Sequence, residues 1–222
     1  HTFLPVQMPL LESEHVKQVA CGYYHSLCVT SLGRLFSFGS NSESQCGSSP
    51  ALFDSQNVEN KENQLVPQLV KDLDGQHVVQ AVGGYNHTLA LTLEGDVWTC
   101  GGNSHGQRGL PLIEDLPKCS RVHIGGYASA VAAGYSHSVV LRRDGSVMTF
   151  GENDSGQLGV PGEDRDEPIL VPLPGKCIAV AAGNSHTVAL QEDGCIFSWG
   201  SGRNGQQGSS SLDDVFAPKV MK

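Results

Sequence analysis

Residues 84–109 read GYNHTLALTLEGDVWTCGGNSHGQRG, and what this stretch shares with three others decides the fold. Its opening phrase GYNHT returns as GYYHS at 22–26, GYSHS at 134–138 and GNSHT at 183–187. The four histidines, His25, His87, His137 and His186, lie 62, 50 and 49 residues apart. Around each of them a glycine stands three residues before, and others stand eight, fourteen and twenty-two residues after. At the twentieth residue comes a glutamine: Gln45, Gln107, Gln157 or Gln206. Six identical columns in four copies define an internal repeat, and a period near 50 residues belongs to stacked-repeat architectures.

Between the glycines the pattern is that of strands. LALTL or VVLRR follows the histidine, then Glu94-Gly95, Asp144-Gly145 or Asp193-Gly194, then DVWTC, SVMTF or CIFSW. Apolar runs joined by such a pair predict a hairpin with a tight primed turn, which needs positive φ at glycine. In the second strand the large residues Trp98, Met148 and Phe197 share a face with Cys100, Phe150 and Trp199, and aliphatic and hydroxyl residues share the other. Small residues end the strand before each histidine (Ala20-Cys21, Val82-Gly83, Ala132-Ala133, Ala181-Ala182), as suits a strand squeezed against a neighbouring backbone. A unit of about four short strands cannot bury both of its own faces, so copies must stack, and radial stacking gives a β-propeller.

These residues are similar to the regulator of chromosome condensation repeat family: G-x-x-H-[ST], the turn glycine, an aromatic-Gly step and a terminal G-Q-x-G. The resemblance runs from LPVQM to APKVM. It implies an all-β fold, a propeller of the regulator of chromosome condensation type in which this chain supplies four blades' worth of a seven-bladed ring. The repeats are expected at about 5–66, 67–116, 117–167 and 168–218, forming a single partial domain. Further repeats of the same polypeptide, or another chain, are expected to complete the ring.

Length and composition agree with a folded chain: 222 residues, 39% hydrophobic, with 27 glycines. The formal charge of −9 is a poor start for wrapping phosphates, so no direct nucleic-acid ligand is expected. Seven cysteines, odd in number and without a C-x-x-C pair, suggest neither a disulfide framework nor a zinc site. They read as small buried hydrophobes in a reducing compartment. The sequence contains no run of eighteen apolar residues that could span a bilayer, and HTFLPVQMPLLESEH lacks the layout of a secretory signal. The expectation is an intracellular protein, cytoplasmic or nuclear, with no membrane insertion.

The repeated histidines are expected to hold each blade together by bonding backbone groups. Equivalent positions in separate blades lie too far apart to share a metal ion. GSGRNGQQG and GENDSGQLG lack the lysine of a phosphate loop. No catalytic, cofactor-binding or metal site is expected, and no cofactor.

Function should therefore sit where the repeats differ. The two residues before each histidine are Tyr23-Tyr24, Tyr85-Asn86, Tyr135-Ser136 and Asn184-Ser185. The resemblance places them on loops at one face of the propeller. In the exchange factor that names the family, which acts on the small GTPase Ran, such loops carry aspartates and a histidine. None of these eight residues is acidic or a histidine. The tyrosines offer either an amphipathic rim for a protein partner or a cover for their own blade ends. SSPALFDSQNVENKENQLV (48–66) reads as a surface insertion and GEDRDEP (162–168) as an acidic loop able to steer a basic partner. The reading is a protein-docking module of a larger regulatory protein, resembling propellers of HECT-type ubiquitin ligases and GTPase regulators. Its partners would be a small GTPase or a ubiquitin-pathway protein. The alternative is a guanine-nucleotide exchange factor for a Ran-like GTPase.

Overall fold

The computed structural model describes residues 11, 13–47, 63–112 and 118–221. Within them the backbone forms four antiparallel sheets of four strands, each a meander in chain order. Sheet one contains β1 (Val16–Cys21), β2 (His25–Thr30), β3 (Leu35–Ser40) and β4 (Asn63–Leu69). Sheet two contains β5 (Val78–Gly83), β6 (His87–Thr92), β7 (Val97–Gly101) and β8 (Cys119–Val122). Sheet three contains β9 (Ala128–Ala133), β10 (His137–Arg142), β11 (Val147–Gly151) and β12 (Arg165–Leu170). Sheet four contains β13 (Cys177–Ala182), β14 (His186–Gln191), β15 (Ile196–Gly200) and β16 (Val215–Val220). The all-β reading holds, and a short 3-10 turn stands at Lys71–Leu73.

The sheets pack face to face in sequence, with β2 against β5, β6 against β9 and β10 against β13. The small-residue strands β1, β5, β9 and β13 lie innermost, each touching the next. The apolar core is accordingly divided among the interfaces between sheets. Alternation along β6 shows how: Ala90 joins Leu27, Val29 and Leu35 of sheet one, while Leu89 and Leu91 join Val140 and Phe150 of sheet three. A third cluster joins Val139, Leu141 and Val147 to Ala189, Phe197 and Trp199. Side chains of this size each contribute about 1.5–3 kcal/mol when withdrawn from water, so neighbouring sheets hold one another in place.

Several expectations need correction. The boundaries at 66/67 and 167/168 cut through β4 and β12, and the one at 116/117 detaches β8 from its sheet. The outermost strand is tied by its ladder to the strand before it, so each sheet ends later than the histidine period suggests. Pro67, Pro168 and Pro218 fall on these outermost strands, where a missing N–H costs no central ladder bond.

The hairpin turns also differ from the primed type. Gly95 N–H donates to Thr92 O and Thr92 N–H to Asp96 O, and of the turn residues only Gly95 has positive φ (100°). This is a longer turn closed by a left-handed glycine, which draws on the same sequence signal. In GEDRDEP only 162–164 is loop, because Arg165 begins β12. Most of the insertion, residues 48–62, lies outside the described residues.

The cysteine reading fails at one pair. Cys100 and Cys119 face each other directly across β7 and β8, with Cα atoms 4.4 Å apart, and are disulfide-bonded. Cys28, Cys46 and Cys177 are buried free thiols, as expected, whereas Cys21 and Cys195 are exposed.

Candidate functional site

The repeated histidine and its glycine solve one packing problem. A Cβ placed on Gly22, Gly84, Gly134 or Gly183 would sit 2.0–2.1 Å from the imidazole Cε1 three residues on, so that column must lack a side chain. The ring then reaches beyond its own sheet. His25 Nε2 lies 2.7 Å from Thr88 Oγ1, His87 Nε2 3.0 Å from Ser138 Oγ, and His137 Nε2 3.0 Å from Thr187 Oγ1. Each hydroxyl donates its single proton back to a carbonyl of the histidine's own sheet: Gln45 O at 2.8 Å, Gln107 O at 2.7 Å and Gln157 O at 2.9 Å. The hydroxyl can therefore only accept from the ring, which fixes the neutral Nε2–H tautomer.

The expectation that each imidazole bonds backbone within its blade is thus wrong. The imidazole staples its sheet to the next one, through the Ser or Thr that follows the next histidine. Burial lowers the ring pKa to about 4 at His25 and about 3 at His87 and His137; nearby rings add to this at His87 and His137. The glutamine side chains do a local job, accepting Glu43 N–H, His105 N–H and Ser155 N–H within their own loops.

Above these staples, at the tips joining each innermost strand to the next, lie the eight variable residues. Tyr23 N–H donates to Gly84 O, Tyr85 N–H to Tyr135 O and Tyr135 N–H to Asn184 O, so the tips are tied in a row. The rings converge. Tyr85 and Tyr135 stack with centroids 4.3 Å apart, and Tyr23 stands edge-on to Tyr24 at 4.6 Å, Tyr85 at 5.1 Å and Tyr135 at 6.0 Å. Tyr23 and Tyr24 remain 61% and 59% exposed. Desolvation, then the hydrogen bond with Tyr85, raises the Tyr135 phenol above its ordinary pKa. Beside the rings opens a cavity of about 270 Å³ lined by Gly22, Gly84, Gly134 and Gly183 together with Tyr23, Tyr85, Tyr135 and Asn184.

Not all eight candidates share this surface. Ser136 is only 4% exposed and so is withdrawn from the rim. The Asn86 amide turns toward the neighbouring loop, where Gln107 Nε2 donates to its Oδ1 at 3.2 Å. Asn184 is exposed, and Ser185 Oγ donates to its Oδ1. The tyrosines cover one another across three sheets, an arrangement that sequence spacing could not show. Among the described residues no group of three or more His, Cys, Asp or Glu is placed to hold a metal ion, and no helix is long and apolar enough to cross a membrane.

Four meander sheets stacked by interface cores and imidazole staples define a propeller built from regulator of chromosome condensation repeats. The family model for the RCC1-like domain matches residues 1–222, and the chain belongs to that family. An RCC1-like G exchanging factor-like protein of Mus musculus is 40% identical over 108 residues, covering 48% of this chain and 22% of the relative. The probable E3 ubiquitin-protein ligase HERC6 of Homo sapiens is 37% identical over 107 residues, covering 48% of this chain and 10% of the relative. Among solved structures, Prp20p of Saccharomyces cerevisiae, described with its binding to Gsp1p and histones, superposes with a TM-score of 0.82 at 26% identity. That match covers 98% of this chain and 53% of Prp20p. Human WBSCR16 matches with a TM-score of 0.79 at 26% identity, over 93% of this chain and 53% of its own. The chain thus spans about half of these propellers and a smaller share of its curated relatives.

Proposed function

We propose that this chain is a protein-docking module of a larger regulatory protein, with the tyrosine rim as its contact surface. The observation that carries the reading is the convergence of Tyr23, Tyr24, Tyr85 and Tyr135, two of them more than half exposed, on loops that the repeated scaffold leaves free to vary. Rigid amphipathic rings of this kind are enriched in protein interfaces because they bury large areas at small entropic cost. Exposed Asn184 extends the rim. The test is partner capture by the Tyr23→Ser/Tyr24→Ser/Tyr85→Ser variant: lost capture with an unchanged unfolding midpoint supports docking. Retained capture, or a large loss of stability, assigns the rings to packing.

Guanine-nucleotide exchange is the second reading. It is favoured by the exchanging-factor-like relative and by the likeness to Prp20p, which binds Gsp1p. It would act by stabilising a nucleotide-free GTPase, with no covalent step. A nucleotide-release assay with a Ran-like GTPase decides between them, and release well above the spontaneous rate would favour exchange. The HERC6 likeness supports the ubiquitin-pathway association. We further infer that the chain forms a single arc whose ring is completed by more repeats. Among the described residues His186 finds no hydroxyl of a following sheet, and Ser26 Oγ on sheet one meets no imidazole.

A further inference from the structure

Resting on the docking reading above, we propose that the occupant of the tyrosine rim is a lysine- or arginine-rich segment of a partner protein, its cationic side chains held against the ring faces. The aromatic face offered to a partner is π-electron rich and attracts a cation placed over it. The chain uses this contact elsewhere: the Arg143 guanidinium lies 5.6 Å from the Tyr127 ring centroid and the Arg34 guanidinium 5.9 Å from that of Phe36. Among the described residues no such cation occupies the rings of Tyr23, Tyr24, Tyr85 or Tyr135.

Charge around the rim selects the same occupant. In a four-stranded meander the first and third connections emerge at the same end of the sheet, so the loops after β3, β7, β11 and β15 surround the tyrosine tips. In sheets three and four those loops carry Glu152, Asp154, Glu163, Asp164, Asp213 and Asp214, against Arg203. Arg165 and Asp166, at the start of β12, offset each other. Glu152 is anchored directly beside the rim, its N–H donating to Ser136 O at 2.9 Å. Asp164 and Asp214 are partly engaged, by His105 and Arg203, while among the described residues Glu163 and Asp154 make no ion pair. Burial is the main cause that raises the Glu152 carboxyl; His105 opposes the shift, and Asp154 and Asp164 add to it, so the geometry of the acidic loops rather than this shift carries the assignment.

An acidic segment or a nucleic acid would meet charges of its own sign beside sheets three and four, whereas the loop after β7 carries buried Arg108 and exposed Lys118. A purely apolar one would leave the phenol hydroxyls and carboxylates without a counterpart. The glycine-floored cavity beside the rings, about 270 Å³, gives room for the stem of a long side chain whose head lies against the phenols.

The experiment pans a random dodecapeptide library on the chain, with counter-selection on the Tyr23→Ser/Tyr24→Ser/Tyr85→Ser variant. The expected winners are rich in lysine and arginine. As synthetic peptides they should bind the serine variant about tenfold more weakly and the corresponding triple phenylalanine variant within about threefold, since phenylalanine keeps the aromatic face. Tyrosine-dependent winners that are acidic or uncharged overturn the cationic assignment while leaving the docking reading intact. Basic winners that bind the serine variant equally well overturn it too, by showing that charge alone suffices. Should no winner of any composition depend on the tyrosines, both readings fall. If the triple serine variant loses its unfolding midpoint, Tyr24→Ser alone replaces it, because that ring packs only edgewise or tilted on Tyr23 and Tyr85.

Discussion

The junction between sheets three and four and the outward face of sheet four are built from the same columns, yet they differ in every measure of burial. At the junction His137 bonds Thr187 and is fully enclosed, as are Val139 and Leu141 beside it. On the outward face His186, Val188 and Leu190 are only half-buried, while Ile178 and Ile196 are 55% and 40% exposed. Sheet one shows the complementary face, with Val19 at 72% exposure and Ser26, among the described residues, without an imidazole. The lesson is that a repeated residue acquires its stabilising role from the adjacent sheet. The same imidazole is a buried staple in one place and a half-exposed side chain in the other.

The sharpest way to break the comparison is to delete the ring at each place. We expect His137→Ala to lower unfolding free energy by about 2–4 kcal/mol, since it empties a packed site and leaves a buried hydroxyl without its donor. His186→Ala should cost less than about 1 kcal/mol. Urea titration of the two variants checks this, and equal losses would show that the ring acts within its own sheet.

Removing the hydroxyl partner is the next smaller change. Ser138→Ala strands the buried His87 Nε2–H and should cost about 1–3 kcal/mol, with Ser138→Thr recovering most of it. Ser26→Ala, facing no ring, should fall within about 0.5 kcal/mol of the parent protein.

Acid provides a graded version of the same comparison. His25, His87 and His137 have folded pKa values well below the unfolded value of about 6.5, so the unfolded chain binds more protons between the two. Their contribution is fully present above about pH 6.5 and is lost as pH falls toward about 4 for His25 and about 3 for His87 and His137. The unfolding midpoint should drop through that window, and the drop should be shallower in His137→Ala than in His186→Ala.

The smallest effect on stability is expected at the rim. The Tyr23→Ser/Tyr24→Ser pair should shift unfolding by less than about 1.5 kcal/mol, because both rings are already more than half exposed and lose mainly ring–ring contact. Chemical denaturation of the pair checks this. A larger loss would make the rim part of the core and weaken its assignment to recognition.

The glycine and histidine columns made the sheets legible, because a turn or a close ring contact admits few other residues. The staple partner was not legible in the same way. Thr88, Ser138 and Thr187 were visible as the hydroxyl after each histidine, but each serves the histidine of the preceding repeat, and only the packing of sheets reveals that exchange. The Cys100–Cys119 bond depends on the register of β7 with β8, which cysteine spacing does not encode. At the rim, sequence variation singled out the tyrosines. It also singled out Ser136, which the fold buries, and it could not show that rings from three repeats would stack into one surface.

The measurement closest to the central claim is nitrogen-15 NMR of the imidazole rings. At pH 5 we expect His25, His87 and His137 to remain neutral with the proton on Nε2, and His186 to titrate at a higher pH than these three. A proton on Nδ1 alone, or a charged ring at any of the three at pH 5, would contradict the inter-sheet staple.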